Sequence, residues 1–279
     1  MTLQAILTLG GVGLVFAIFI ALANRKLWVW ADPRIDMVAA MLPNVNCGAC
    51  GLPGCRAFAE QAVEGIIAPS KCSVGSDDVH HAIAAFLGVE TGTAVRRVAR
   101  LLCAGGTDVA ASQAEYRGLS TCAAAAAVAG GGKGCAWGCL SLADCERSCT
   151  FDAIRMSDTG LPVVDPVKCT ACGDCVDACP KELFVLLPVE NYLVVQCKNL
   201  LAGDEVLEQC QVACTACGKC VQDAAPGLIS IASGVAVVNY DLNAQADRHA
   251  VDRCPTNAIV WLSGAQFARV PSLAGSTEA

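Results

Sequence analysis

The sequence predicts an α+β chain: one apolar amino-terminal helix, then small units of short strands and helices, each framed by cysteines. Three observations carry this. Cysteine makes up 20 of 279 residues, the chain opens on a long uncharged run, and one cysteine-framed pattern occurs twice. With 54% hydrophobic and 16% charged residues, the chain has enough apolar surface to bury, which argues against long disordered tracts. A net charge of −7 argues against a nucleic-acid surface, which needs clustered Lys and Arg to displace counterions. Only three His are present, so haem or His-rich zinc chemistry could rest on very few residues.

The first element is the run from Leu3 to Ala23, 21 residues without a charge and about 30 Å long as a helix. Its start lacks the basic residues of a secretory signal, and Arg25 and Lys26 follow it. The expectation is an uncleaved single-span anchor over 1–26, with Trp28 and Trp30 at the interface and everything downstream on the cytoplasmic side of the inner membrane. Gly10, Gly11 and Gly13 would permit close packing against other membrane helices, and a lone anchor tolerates them equally. Cytoplasmic thiols are kept reduced, so the cysteines are expected to bind metal rather than pair as disulfides.

The second element, at about 30–90, contains Cys47-x2-Cys50-x4-Cys55-x16-Cys72. Three thiolates within nine residues surround one centre only if the backbone curls, which the intervening glycines Gly48, Gly51 and Gly54 permit. The fourth ligand arrives beyond a helix expected from Arg56 to Gly65. A [4Fe-4S] cluster is expected here; a structural zinc site, which more often uses two separated pairs, is the alternative.

The third element, at 131–190, holds Cys169-x2-Cys172-x2-Cys175-x3-Cys179-Pro180, the bacterial ferredoxin run in which the fourth cysteine reaches a neighbouring cluster. Its partner is Cys135-x3-Cys139-x5-Cys145-x3-Cys149, separated from it by a strand-turn-strand stretch over 153–167. Exchange of fourth ligands predicts one cluster on Cys135, Cys139, Cys145 and Cys179, and another on Cys149, Cys169, Cys172 and Cys175.

The fourth element, at 191–264, repeats the third. Cys210-x3-Cys214-x2-Cys217-x2-Cys220 aligns with the upstream group, pairing Cys135 with Cys210 and Leu142 with Cys217. Leu142 therefore stands where a ligand is usual, and Cys135 is the expected substitute. In the second copy Ala224, Ala244, Asp247 and Ala250 occupy all four ligand positions of one cluster, while Cys214, Cys217, Cys220 and Cys254 keep the other. This predicts a two-cluster module reduced to one, with strands at 235–238 and 258–262.

Sixteen cysteines thus sort into four [4Fe-4S] clusters. Cys103, Cys122, Cys197 and Cys210 remain over; Cys103 and Cys197 end the apolar stretches 98–102 and 192–196 and read as buried strand thiols, small hydrophobes unless the four converge as further ligands. Elsewhere, Gly130 to Gly134 reads as a flexible linker lacking the Walker spacing. Arg96, Arg97 and Arg100 read as helix-borne charges that are solvated or dock an acidic ferredoxin, and His80 and His81 as surface residues in a turn. The 91–130 stretch reads as a connection, and 265–279 as a disordered tail.

The anchor, the Cys47–Cys72 group, the Cys135–Cys179 pair of groups, and the stretches Tyr116-Arg117-Gly118-Leu119-Ser120-Thr121-Cys122 and Gly134-Cys135-Ala136-Trp137-Gly138-Cys139-Leu140 together resemble the B subunit of the Rnf complex. The resemblance runs from residue 1 to about 262. It implies an iron-sulfur electron-transfer subunit of a membrane-bound, ion-translocating ferredoxin:NAD oxidoreductase. Its implied partners are soluble ferredoxin, the membrane, and the other Rnf subunits, integral or carrying flavin and NAD sites. The chain itself shows no Rossmann or P-loop signature and no catalytic triad. A tethered electron donor to another acceptor, such as a redox-sensing regulator, and a structural zinc protein are the alternatives.

Overall fold

The computed structural model describes residues 2–26, 32–93 and 95–267. Helix α1, Thr2–Lys26, forms where the uncharged run predicts a helix. The anchor expectation is nevertheless corrected: among the described residues no helix is long and apolar enough to cross a membrane. The sidedness inferred from Arg25 and Lys26 loses its basis with the span. Trp28, Trp30 and residues 268–279 lie outside the described residues, while the start of the tail expected to be disordered from 265 is corrected by Gln266, which is 1% exposed.

The first cysteine unit is helical. Helix α2, Pro33–Met41, opens on Asp32, whose side chain accepts from Arg34 N–H. Helix α3, Cys55–Val63, carries a buried stripe of Phe58, Ala59 and Ala62, and α4, Asp77–Leu87, is capped by Ser76 and ends on left-handed Gly88. Together they enclose a core of Val38, Leu42, Phe58, Ala59, Ala62 and Ile83 with Cys72.

The connection expected at 91–130 is in fact part of the next unit. Strand β1, Arg97–Leu101, precedes helices α5, Cys122–Ala127, and α6, Asp144–Ser148. The hairpin of β2, Ile154–Met156, and β3, Pro162–Val164, follows, then helix α7, Asp174–Asp177, and strand β4, Phe184–Pro188. Strands β1 and β4 pair antiparallel, Val98 opposite Leu187 and Leu101 opposite Phe184, so the unit closes on its own first strand. Alternating apolar residues could not announce β1, because Val98, Ala99, Arg100 and Leu101 are all buried.

That pairing overturns the helix expected for the three arginines. Arg100 is 1% exposed and donates to the Gly264 carbonyl at 2.7 Å, Arg96 bonds the carbonyls of Pro166 and Val167, and Arg97 stands at the exposed strand end. Gln266 seals β1 from outside: Leu101 N–H donates to its Oε1 at 2.9 Å, and its Nε2 donates to the Leu101 carbonyl at 2.8 Å.

The repeat reproduces the scheme. Strand β5, Leu193–Val195, is followed by helix α8, Lys219–Asp223, a hairpin of β6, Ile229–Ala232, and β7, Val235–Val238, helix α9, His249–Asp252, and β8, Ile259–Trp261. Strands β5 and β8 pair as β1 and β4 do. The approach bonds match too: Leu102 N–H reaches the Leu183 carbonyl at 2.7 Å, and Gln196 N–H the Ala258 carbonyl at 2.6 Å. Where the second copy lacks ligands, Ala250 lies in its core with Ala224, Leu242 and Val251 packed against it. Ala244 and Asp247 face solvent.

The Gly130–Gly132 stretch is a short 3-10 turn, not a slack linker. Gly132 has φ +77° and lies against the Ala114 backbone, whose N–H donates to the Gly132 carbonyl. Lys133 Nζ then bonds the carbonyls of Gly105 and Cys139 at 2.5 and 2.7 Å, pinning the loop that carries Cys135.

Candidate metal centres

All 20 cysteines are free thiols, and they gather around five cavities. A cavity of about 350 Å³ is lined by Cys47, Cys50, Cys55 and Cys72. Asn46 shapes its loop, accepting from Cys55 N–H at 2.8 Å. His80 contradicts the surface expectation: it is 6% exposed, sits on α4, and pairs its Nε2 with the Cys72 carbonyl at 2.8 Å. His81 is exposed and meets Thr91.

The second cavity, about 310 Å³, is lined by Cys149, Cys169, Cys172 and Cys175, which exchange of fourth ligands predicts. The third, about 370 Å³, is lined by Cys122, Cys139, Cys145 and Cys179. Here Cys122 replaces the expected Cys135. The physical reason is the start of α5: Thr121 caps the helix through Ala124 N–H, and Asp144 accepts from Ala123 N–H, which fixes Cys122 beside α6. Both exchanged cysteines receive the same backbone support, Cys149 Sγ from Ala153 N–H and Cys179 Sγ from Leu183 N–H, each at 3.4 Å.

The fourth cavity, about 350 Å³, is lined by Cys214, Cys217, Cys220 and Cys254, with Cys217 exposed. The fifth, about 330 Å³, is lined by Cys103, Cys135, Cys197 and Cys210. Spacing alone assigns Cys135 elsewhere and leaves the other three without a role. The available signals were Cys122 inside the Tyr116–Cys122 stretch and a cysteine total divisible by four.

As free groups these thiols are held in the neutral form, and their thiolates are disfavoured. Burial pushes Cys139 up to about 11 and Cys175 up to about 12. It also raises Cys145, with Cys139, Cys122 and Cys179 adding to the effect, and takes Cys220 to about 11, helped by Cys214, Cys254 and Cys217. Four thiolates this close are tolerable only around a multiply charged cation, since ligation requires the deprotonated form. Among the described residues, no group of three or more His, Cys, Asp or Glu is set to hold a single metal ion. A zinc site draws four sulfurs to about 2.3 Å from one point. The all-cysteine sets here include C-x2-C-x2-C runs in place of the two separated pairs usual for structural zinc, which suits an iron-sulfur cluster.

Two family models match: the FeS family, an "Fe-S cluster" family, at residues 42–74, and Fer4, the 4Fe-4S binding domain, at 162–183. The chain is 43% identical to the B subunit of the Na(+)-translocating ferredoxin:NAD(+) oxidoreductase complex of Acetobacterium woodii, over 90% of this chain and 75% of the relative. It is 35% identical to the B subunit of the proton-translocating complex of Clostridium ljungdahlii, over 89% and 88%. The B subunit of the ion-translocating oxidoreductase complex of Methanosarcina acetivorans is 32% identical over 92% and 97%. The chain belongs to the family of B subunits of ferredoxin:NAD(+) oxidoreductase complexes. As such it is an iron-sulfur electron-transfer component of an oxidoreductase.

Proposed function

We propose that this chain accepts electrons from reduced ferredoxin and relays them through [4Fe-4S] clusters toward an NAD-reducing partner in an ion-translocating complex. The observation that carries the reading is the gathering of cysteines in fours around shared cavities, two of them with exchanged fourth cysteines. The proposed ligand sets are Cys47, Cys50, Cys55 and Cys72; Cys122, Cys139, Cys145 and Cys179; Cys149, Cys169, Cys172 and Cys175; and Cys214, Cys217, Cys220 and Cys254. Bound clusters supply low-potential one-electron carriers. The chain holds them in order, excludes water around buried Cys139, Cys145 and Cys175, and directs backbone N–H groups at sulfur, which tunes potential.

The relatives' names describe sodium- and proton-translocating complexes, so the assembly belongs at a membrane, where integral subunits hold this one. Flavin and NAD sites belong to those partners. Cluster ligation requires reduced thiols, which a cytoplasmic setting for the cluster units would supply. The test is anaerobic mixing of the iron- and sulfide-loaded full chain with reduced ferredoxin. Bleaching of the cluster absorbance is expected; a loaded chain that stays oxidised would overturn the reading.

A further inference from the structure

We propose a fifth [4Fe-4S] site on Cys103, Cys135, Cys197 and Cys210, built between the two ferredoxin-like copies. It rests on the reading of the other four sets as clusters. The four sulfurs come from four separate segments, so no spacing motif marks them, yet they line one cavity of about 330 Å³.

The decisive feature is that each copy contributes an equivalent pair. Cys103 lies two residues beyond β1 and Cys197 two residues beyond β5. Cys135 and Cys210 each precede the first thiol of a neighbouring set, Cys139 or Cys214, by four residues. The hydrogen bonds obey the same equivalence. Cys139 N–H donates to Cys103 Sγ at 3.4 Å, and Cys214 N–H to Cys197. Trp137 N–H serves Cys135 and Val212 N–H serves Cys210. The two copies thus present matching cysteine pairs, with matching amide donors, to one shared cavity.

The surroundings are also fitted to sulfur. A Cβ on Gly105 would stand 3.0 Å from Cys210 Sγ and 3.7 Å from Cys103 Sγ, so this backbone runs close against both sulfurs. Asn199, 1% exposed, aims its Nδ2 at Cys135 Sγ at 3.5 Å. Lys133 brings a positive charge to the rim, offsetting the net negative charge that four thiolates confer on a cluster.

The site lies between the Cys139 and Cys214 sets, in touch with a ligand amide of each. An electron leaving the first copy would reduce this cluster by one, and the same electron would then pass to the second copy, with no bond or proton changing at the cysteines. This accounts for a second copy that has lost its own partner cluster at Ala224 and Ala250.

The test is native mass spectrometry, with iron and acid-labile sulfide assays, on the anaerobically reconstituted full chain. Five clusters, about 20 Fe, are expected. Cys197→Ser and Cys210→Ala should each fall to four clusters, losing a fifth of the iron, with the remaining four showing that the chain still folds. A wild-type chain that saturates at four clusters, about 16 Fe, would overturn the fifth site while leaving the proposed function intact. Zinc without sulfide would instead sink the underlying reading.

Discussion

Cys122 and Cys135 show how much a single side chain decides. Both lie near the Cys139 set in sequence, and the repeat arithmetic favours Cys135, but the cap at Thr121 and the Asp144 contact deliver Cys122 to that cavity instead. Cys122→Ala is therefore expected to remove about four Fe and the signal of a buried cluster. Full retention of iron in that variant, measured against wild type, would contradict the assignment. Gly132 is a second such position: its φ of +77° and contact with the Ala114 carbonyl make Gly132→Ala cost about 2–3 kcal/mol in urea unfolding. Tyr240 supplies a pH signature outside the cysteine sets. Its hydroxyl donates to the Leu193 carbonyl at 3.1 Å, and burial pushes the phenol up to about 12. The folded state favours the neutral form, so this contribution is complete below pH ~10, where the unfolded phenol begins to ionise, and is lost as pH rises toward 12. Spectroscopic titration of tyrosinate should show one late-ionising group, absent in Tyr240→Phe.

At the scale of elements, the cysteine runs locate the helices that hold ligands, because a tight C-x2-C loop followed by a short helix is a local arrangement. Strand β7 forms at the residues expected from its apolar run, and α3 within one residue of its expected start. What escapes is non-local. Strand β1 lies some 80 residues from its partner β4, and its arginines suggest an exposed helix. Arg100 is buried only because the Gly264 carbonyl and the returning carboxy-terminal segment accept it. Gln266 is the clearest case, since a lone glutamine near the end of a chain carries no signal, yet it completes the backbone of Leu101 on both sides. Gln266→Leu should strand a buried N–H and a buried carbonyl and destabilise the first ferredoxin-like unit by about 2 kcal/mol or more, read as a lowered denaturant midpoint. An unchanged midpoint would mean that water replaces the side chain.

Across the whole molecule, two ferredoxin-like copies share the strand scheme β1–β4 and β5–β8, and the four cysteines that spacing leaves without a role are the ones that topology redistributes. The number of cysteines is legible in the sequence but their convergence is not, because convergence depends on how the copies face one another. One consequence concerns electron flow. If the proposed fifth site bridges the copies, Cys103→Ala combined with Cys210→Ala should slow reduction of the Cys214–Cys254 cluster by ferredoxin at least tenfold, on the order of 1.4 kcal/mol in barrier, while leaving the first copy's clusters at their wild-type rate. Equal rates in stopped-flow traces would show that electrons bypass the bridge. The most direct measurement of the central claim is the iron, zinc and acid-labile sulfide content of the anaerobically isolated full chain. Iron and sulfide in equal amounts, at no fewer than about 16 per chain, is the predicted result; zinc in place of iron, or iron without sulfide, would contradict it.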